Sequence, residues 1–207
     1  LYISNLEKNE SFLKVGDQWS PSKPSFFSSE IKDSCLMGDD KWFAHFYFPS
    51  TRLIIIGAVH ISQSLVSMAA ECNFDPQIID PRGVFITKER FPNSILHTKW
   101  PEDFLKEEPA NKDTAIVTLS HDPKLDDPAL EHALNSNAFY IACLGSKKTH
   151  SSRLERLRLK GFNDKVLSRL NGPAGIPISA KSPSEIAVSI LAEMISFRQK
   201  LKKFQTI

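Results

Sequence analysis

The spacing of hydrophobic residues along this chain changes near residue 50. Beyond that point, short and nearly continuous apolar runs alternate with stretches in which apolar residues recur at helical spacing. The runs occupy 53–56, 77–80, 115–119 and 139–144. A short apolar run bounded by glycine, proline or polar residues is typical of a strand buried in a parallel sheet. The pattern therefore predicts four such strands.

Helices are predicted between these strands and after the last of them. After the first run, four apolar residues recur at helical spacing: Leu65, Met68, Ala69 and Cys72. Asp127 is expected to cap a later helix with Pro128 at its first position, since aspartate favours the N-cap and proline the first turn. A basic helix is predicted over 147–160, ending at Gly161, because glycine readily adopts the left-handed conformation that ends helices.

The last helix has the clearest signals. Ser182 and Glu185 form a capping box, in which each side chain hydrogen-bonds to the backbone N–H of the other residue. One apolar stripe follows: Ile186, Ile190, Met194, Phe197 and Leu201. Strands that alternate with helices indicate βαβ units, so we predict a Rossmann-like, doubly wound parallel sheet in a three-layer α/β/α fold.

Residues 1–50 differ from the rest of the chain in composition and in hydrophobic pattern. They contain serine and proline clusters, scattered aromatic residues and no helical period, so an irregular N-terminal segment is expected before a domain at 51–207. The aromatic run at 42–48 is consistent with a leader strand that packs against that domain and ends at Pro49. A partner-binding aromatic patch is the alternative interpretation.

Composition and charge exclude several classes of protein. With 41% hydrophobic and 24% charged residues, the chain has enough apolar surface to fold without disulfides or metals. A formal net charge of +2 and apolar runs of a few residues suggest neither a nucleic acid nor a membrane as partner. The three cysteines show no pairing pattern, as in proteins of a reducing compartment, so we expect a cytoplasmic protein.

Ligands of doubly wound sheets bind at the carboxyl ends of the strands. The segment 57–60 (Gly-Ala-Val-His) follows the first strand, where nucleotide-binding domains have G-x-G-x-x-G, but Val59 stands in place of the second glycine. Asp80 ends the second strand, where an acidic residue would bind a ribose hydroxyl. These features weakly favour NAD(P), which Val59 should obstruct. A turn that merely connects a strand with a helix is the alternative.

Further polar residues follow the second and third strands. Arg82 could hold a phosphate or a carboxylate through two parallel hydrogen bonds, or could simply lie on the surface of a turn. His121 and Asp122 could hydrogen-bond a ligand or transfer a proton. A turn in which Asp122 accepts hydrogen bonds from local backbone N–H groups explains the same residues.

The start of the basic helix is a candidate phosphate site. Gly145 and Ser146 precede this helix, whose free N–H groups and dipole attract anions, and Lys147 adds positive charge. Over 147–160, six basic residues against one acidic residue give a net charge of +5. The residues beyond about the first turn, Arg156 and Arg158 especially, are expected to form a solvated face.

No catalytic or metal-binding constellation stands out. Asp126 and Asp127 are adjacent acidic residues, but helix capping explains them more simply than a metal does. Cys143 lies inside a predicted strand and is expected in the core. The sequence has no nucleophile elbow, no metalloprotease motif and no P-loop, so a binding protein is favoured over an enzyme.

Taken in order, several of these motifs resemble the Rossmann domain of the XdhC/CoxI family, whose members are accessory factors of xanthine dehydrogenases and related molybdenum hydroxylases. The resemblance covers about residues 45–198, and the block His-Asp-Pro-Lys-Leu-Asp-Asp-Pro at 121–128 is its most specific part. The other matching segments are 57–60, 80–82, 89–92, 144–150 and 182–193.

The resemblance implies a molybdenum-cofactor chaperone, which binds the sulfurated cofactor, protects it and hands it to an apo-dehydrogenase. The expected partner is a xanthine dehydrogenase-type molybdenum hydroxylase, and a cysteine desulfurase and a second copy of the chain are further candidates. The residues expected to bind the cofactor are Gly57, His60, Asp80, Arg82, His121, Asp122, Gly145, Ser146 and Lys147.

Two departures from the family pattern keep other functions open. Val59 replaces the second glycine of the family's Gly-Ala-Gly-His motif. The family's N-terminal domain, with its Gly-Gly-Cys-type motif, is expected to be absent or reduced to residues 1–50. The alternatives are an NAD(P)-dependent oxidoreductase and a degenerate structural member that only contacts a dehydrogenase.

Overall fold

A computed structural model describes residues 1–15, 17–27, 34–38, 41–46, 50–92 and 94–204. The chain divides into two units, one formed by Leu1–Pro49 with Phe204–Ile207 and the other by Ser50–Lys203. Within the described ranges, no helix combines the length and the apolar character needed to cross a membrane.

The first unit contains a five-stranded antiparallel sheet. Its strands are β1 (Tyr2–Asn5), β2 (Ser11–Val15), β3 (Gln18–Ser20), β4 (Cys35–Met37) and β5 (Trp42–His45), in the order β3-β2-β1-β5-β4. The sequence suggests an irregular segment here, because strands of three to five residues are too short to show a clear alternation. The predicted aromatic strand begins as β5, which pairs with β1 and β4, and its residues 47–48 lie outside the described ranges.

Aromatic packing stabilises this small sheet. The ring centroids of Phe26 and Trp42 are 4.5 Å apart, and those of Phe12 and Trp42 are 5.8 Å apart. Ile3 and Ala44, which pair across β1 and β5, are fully buried. Large aromatic side chains bury much apolar area per residue, so this cluster compensates for the shortness of the strands.

The second unit contains a sheet of six parallel strands, and within the described ranges helices lie in every connection except that from its second strand to its third. In chain order its elements are β6 (Thr51–Ile56), α1 (His60–Glu71), β7 (Phe74–Ile79), β8 (Ile95–His97), α2 (Pro101–Glu107), β9 (Thr114–Thr118), α3 (Pro123–Leu134), β10 (Tyr140–Cys143), α4 (Lys147–Leu159), α5 (Asp164–Leu167), β11 (Leu170–Asn171) and α6 (Pro183–Phe204). The strand order is β11-β10-β9-β6-β7-β8, with all neighbours parallel. The predicted doubly wound parallel sheet is confirmed, and the four predicted strands are β6, β7, β9 and β10.

Alternating side chains along β6 build a core on each face of this sheet. Leu53 and Ile55 pack with residues of α1 and α6, whereas Ile54 and Ile56 pack with residues of α2, α3, α4 and α5. All four side chains are fully buried. Helices on both faces confirm the predicted three-layer α/β/α architecture.

Two helix ends lie where the sequence predicts them. Gly161 follows α4 with a φ of +94°, the left-handed conformation of a helix C-terminus. Before α6, the Ser182 N–H donates to Glu185 Oε2 at 2.9 Å, and the Glu185 N–H donates to Ser182 Oγ at 3.3 Å. The predicted capping box is therefore confirmed.

The predicted start of α3 is wrong. The helix begins at Pro123, and Asp122 is its N-cap, accepting the Lys124 N–H at 2.9 Å. Two Asp-Pro dipeptides lie close together here, at Asp122 and at Asp127, and each has the composition of a helix start. The first copy starts the helix, and Pro128 lies inside it, where it lacks the N–H that would bond to the Lys124 carbonyl.

The carboxyl ends of the two central strands approach each other closely. β6 pairs with β9, and β6 is followed by Gly57 with a φ of +105°. A Cβ atom on Gly57 would lie 2.8 Å from the Ser120 nitrogen and 2.9 Å from the Ser120 Cα. Backbone atoms cannot move aside as a flexible side chain can, so this position requires glycine.

We expect Gly57→Ala to lower the free energy of unfolding by about 3 kcal/mol, because it combines overpacking with a left-handed backbone for an L-residue. Urea denaturation measures the change. Gly83→Ala is the matched control, since a Cβ on Gly83 meets no atom within 4 Å. The control should stay within about 0.5 kcal/mol of the wild type. Equal stability of the two variants would contradict the close approach at Gly57.

Candidate functional site

The connections leave the centre of the sheet in opposite directions. From β6 the chain passes through α1 to β7 on one side, and from β9 it passes through α3 to β10 on the other. Such a switch point opens a crevice at the carboxyl ends of the two strands, where doubly wound proteins bind ligands. Gly57 and Ser120 flank this crevice, so the predicted site residues next to them lie on the expected edge of the sheet.

Asp80, which directly follows β7, accepts hydrogen bonds from other residues of this chain. Its side chain is fully buried, and Oδ2 accepts the Ala58 N–H at 2.8 Å. Arg82 donates to Oδ1 from its backbone N–H at 3.0 Å and from Nε at 2.9 Å, and to Oδ2 from Nη2 at 2.8 Å. A carboxylate has about four acceptor sites, so these bonds leave none for a ribose hydroxyl.

Charges at this edge interact across the crevice. Burial by itself raises the pKa of Asp80, but hydrogen bonds from Arg82 and from the Ala58 N–H outweigh burial and hold the pKa below its ordinary value. The hydrogen bond to Asp80 raises the pKa of Arg82, and the negative charges of Asp122 and Asp126 add to the rise. The structure therefore brings the predicted residues Arg82 and Asp122 into one electrostatic environment.

The turn after β6 is shaped by internal contacts. Val59 is the N-cap of α1, with an extended backbone (φ −95°, ψ 176°) and no side-chain cap. Its side chain packs against the core, whereas His60, the first residue of α1, is exposed. Ser62 Oγ donates to the Gly57 carbonyl at 2.5 Å, which ties the first turn of α1 back to the glycine turn.

The residues after β9 have different roles. Ser120 Oγ donates to Asp126 Oδ1 at 2.6 Å and accepts the Asp122 N–H at 3.1 Å. Asp122 caps α3, as in the alternative interpretation of the sequence. His121 is exposed, with a φ of +61°. Of the predicted pair, His121 is thus the residue that faces solvent at this edge.

The adjacent acidic residues of α3 have separate partners. Asp126 is 1% exposed, and its Oδ2 lies 3.6 Å from Arg153 Nη2. Asp127 accepts two hydrogen bonds from Arg156, at 2.6 and 2.9 Å. Both acids connect α3 with α4 and neither caps α3. Across the described ranges, no group of three potential ligands could hold a metal ion.

The start of α4 presents an exposed polar surface. Ser146 is the N-cap, and its Oγ accepts the Thr149 N–H at 3.1 Å. Ser146 and Lys147 are exposed. Gly145 has a φ of +147°, and a Cβ atom there would lie 3.1 Å from Thr149 Cβ. Because the first N–H groups of a helix have no partner within it, this end of α4 can bind an anion.

Sequence reasoning missed Arg153. The residue is 2% exposed, although the basic helix predicts a solvated face beyond its first turn. Nη2 donates to the Leu144 carbonyl at 3.1 Å, whereas Nε and Nη1 are buried with no hydrogen-bond partner in the described part of the chain. Spacing could have revealed it, since Arg153 lies four residues before the buried Leu157 on the same face of α4. Arg156 and Arg158 are 40% and 50% exposed, as predicted, and each pairs with an aspartate.

Cys143 is fully buried in β10, as predicted, but it has polar neighbours. Its Sγ lies 3.6 Å from His150 Nδ1 and 3.7 Å from the Asn171 carbonyl oxygen. Burial raises the pKa of the Cys143 thiol to about 11, against the opposing charge of Arg153. Burial and the Arg153 charge lower the pKa of His150. At neutral pH this cluster therefore supplies no thiolate nucleophile.

A sequence model of a protein family, described as the XdhC Rossmann domain, matches residues 53–194. The chain is 31% identical over 150 residues to the molybdenum cofactor insertion chaperone PaoD of Escherichia coli (strain K12), covering 72% of this chain and 41% of that protein. It is 33% identical over 154 residues to a probable xanthine dehydrogenase subunit of Bacillus subtilis (strain 168), covering 74% and 44%. The chain thus spans less than half the length of either relative.

A solved structure is similar over nearly all of this chain. The crystal structure of a xanthine dehydrogenase from Bacillus halodurans matches with a TM-score of 0.77 and 26% sequence identity. The match covers 96% of this chain and 59% of that one. It supports the α/β fold described above.

The lowered pKa of Asp80 ties part of the stability to pH. A carboxyl group with a depressed folded pKa stabilises the protein above the ordinary value of about 3.9, and this contribution is lost as pH falls through the folded pKa. We expect Asp80→Asn to lower the free energy of unfolding by about 2–3 kcal/mol at neutral pH, because it leaves Arg82 unpaired and removes buried hydrogen bonds. The difference from the wild type should shrink below about pH 4.

Urea denaturation at a series of pH values measures this difference. Asp113→Asn is the matched control, since Asp113 is an exposed aspartate at the opposite end of the strands. The control should behave as the wild type does. A gap between Asp80→Asn and wild type that is independent of pH would show that the Asp80 charge does not stabilise the fold.

Proposed function

Since this chain belongs to the XdhC Rossmann-domain family, we propose that it binds the molybdenum cofactor and delivers it to a molybdenum hydroxylase of the xanthine dehydrogenase type. The names of two relatives support this: one is a molybdenum cofactor insertion chaperone, and the other is a probable xanthine dehydrogenase subunit. The main observation behind this proposal is that two turns at the carboxyl edge of the sheet differ. There the turn after β6 is closed by its own contacts, whereas the start of α4 is exposed.

A dinucleotide in its usual pose finds little support at the turn after β6. The Ala58 N–H lies where the backbone approaches a pyrophosphate in nucleotide-binding turns, and it is donated to Asp80 Oδ2 at 2.8 Å. The carboxylate of Asp80 is saturated by its own contacts. Val59 adds a side chain where those turns have glycine. An NAD(P)-dependent oxidoreductase is therefore less well supported than cofactor delivery.

The start of α4 suits the anionic end of the cofactor. The molybdenum cofactor is a pterin that carries a phosphate group, and helix N-termini bind phosphates through free N–H groups and the helix dipole. Gly145 lets an anion approach the backbone, Ser146 offers a hydroxyl and Lys147 adds charge. The partly unpartnered guanidinium of Arg153 supports the same assignment. The residues present therefore fit a phosphate.

Delivery requires binding and release rather than a reacting side chain. When bound, the cofactor supplies the molybdenum chemistry of the enzyme that receives it. In this proposal the chain's own residues hold the phosphate at α4, and the exposed His60 and His121 are available to contact the uncharged part of the ligand. The neutral Cys143 and the engaged carboxylates of Asp80 and Asp126 agree with a binding role.

The proposed partners follow from the family. The names of the relatives support a xanthine dehydrogenase-type hydroxylase as the recipient. A cysteine desulfurase and a second copy of this chain stay predictions that rest on the family resemblance.

Native mass spectrometry of the protein purified from its own cells tests the ligand. We expect a bound species with the mass of a molybdenum-containing pterin and no nicotinamide dinucleotide. Calorimetric titration with NAD+ and NADP+ is the control, and both should bind more weakly than in the micromolar range. A bound nicotinamide, or micromolar affinity for either dinucleotide, would overturn the proposal in favour of an oxidoreductase.

Lys147→Ala tests where the phosphate binds. A charge-assisted hydrogen bond contributes about 1.5–3 kcal/mol, so its loss should weaken binding of isolated molybdenum cofactor by about one to two orders of magnitude. The thermal midpoint should be nearly unchanged, because an exposed lysine contributes little to stability.

Lys112→Ala is the matched control for this titration. Lys112 is also exposed, but it precedes β9 and so lies at the amino end of the strands. It loses the same charge away from the site and should keep wild-type affinity. Unchanged affinity of Lys147→Ala would place the phosphate elsewhere on the carboxyl edge.

A further inference from the structure

We propose that Arg153 is the buried half of an anion site at the start of α4, where its guanidinium binds a phosphate group of the ligand through Nη1. Only the identity of the phosphate-bearing ligand rests on the proposed function. A phosphate ester or a diphosphate is the class of ligand that an arginine side chain and helix N–H groups recognise together.

Arg153 is a buried charge with unused donors. A guanidinium has five N–H donors and stays protonated, so a buried one is normally hydrogen-bonded on several sides. Here Nη2 donates to the Leu144 carbonyl at 3.1 Å. Nε and Nη1 are shielded from solvent and find no hydrogen-bond partner among the described residues. Unsatisfied buried donors are costly, which indicates a partner that is present in the liganded protein.

The neighbouring groups compensate this charge only in part. Asp126 Oδ2 is 3.6 Å from Nη2, beyond hydrogen-bond distance, and Asp126 Oδ1 is engaged by Ser120 at 2.6 Å. Burial raises the pKa of Asp126, although Ser120 and Arg153 oppose the rise. Cys143 is a neutral thiol and a weak acceptor. A positive charge without full compensation therefore lies beneath the start of α4.

Gly145 makes this charge reachable from the loop. A Cβ atom on Gly145 would lie 3.8 Å from Arg153 Nη1, so no side chain of residue 145 separates the guanidinium from the loop. The same Cβ would lie 3.1 Å from Thr149 Cβ and Cγ2, so the exposed Thr149 side chain also borders the space beside Gly145. Thr149 Oγ1 lies 2.9 Å from Ser146 Oγ, so these two residues form one polar rim beside Gly145.

A phosphate at this position is bound from two sides. The first N–H groups of α4 and Ser146 lie on its outer side, and the Arg153 guanidinium lies on its inner side. The planar guanidinium fixes the orientation of a phosphate as well as attracting it, whereas a flexible lysine acts as a point charge. Arg153 therefore orients the phosphate, and Lys147 adds attraction at the rim.

Calorimetric titration of the full chain with inorganic pyrophosphate tests this site. Arg153→Lys keeps the charge but loses the planar set of donors, so we expect about tenfold weaker binding. Arg153→Met loses the charge as well and should bind about 100-fold more weakly. Arg158→Met is the matched control, because Arg158 is a half-exposed arginine of α4 that pairs with Asp164. The control should keep wild-type affinity.

Thr149→Ala separates ligand binding from a purely structural role of Arg153. Removing the Thr149 methyl group, which borders the space beside Gly145, should open the approach to Nη1 and tighten pyrophosphate binding by about threefold. If Arg153 only ties α4 to the Leu144 carbonyl, Thr149→Ala leaves affinity unchanged, and the Arg153 variants lower the thermal midpoint without changing affinity. That result would overturn the inference.

Titration with isolated molybdenum cofactor in parallel distinguishes the two proposals. Circular dichroism shows which variants are folded, and Arg153→Lys decides if Arg153→Met does not fold.

Wild-type affinity of the folded Arg153 variants for both ligands overturns the Arg153 site and leaves the proposed function standing. Loss of pyrophosphate binding in these variants, with no cofactor binding by the wild type, supports the Arg153 site and overturns the proposed function. A wild-type chain that binds no pyrophosphate overturns the Arg153 site.

Discussion

Two strands can end side by side at the centre of this sheet only because Gly57 carries no side chain. The contact joins the backbone of Gly57 to the backbone of Ser120, so neither partner can give way. It fixes the carboxyl edge on which the candidate binding groups lie. From Ser120 the contacts continue to Asp126 and on towards Arg153 of α4. The position of the candidate anion site is thus linked with the central pair of strands.

The elements around this contact could be predicted because their signals are local. Continuous apolar runs mark β6 and β9, and the mutual hydrogen bonds of Ser182 and Glu185 mark the start of α6. The first unit lacks such signals, since a strand of three residues holds too few positions to show alternation. Either of two Asp-Pro pairs could have started α3, and local composition alone does not decide between them.

The location of the candidate site could be predicted, but its details could not. Gly57, Arg82 and Gly145 were expected on one edge because parallel strands share their carboxyl side. The sequence could not show which polar groups are already engaged. Asp80 is saturated partly by an N–H from a residue far away in the chain, and Arg153 is buried by neighbours on other elements. Both facts depend on tertiary packing, for which the spacing of Arg153 and Leu157 along α4 is the one local signal.

The Asp80 carboxylate commits to the fold the same acceptor oxygens that a ligand hydroxyl would need. The oxygen atoms that hold the Ala58 N–H and Arg82 in place have no acceptor site left for a ribose hydroxyl. A substitution that frees the turn removes its support at the same time and leaves a cation without its partner. A chain in which Asp80 were free to accept a ligand hydroxyl would give up these stabilising contacts. The hydrogen bonds of one buried carboxylate thus stabilise the fold and close this turn at the same time.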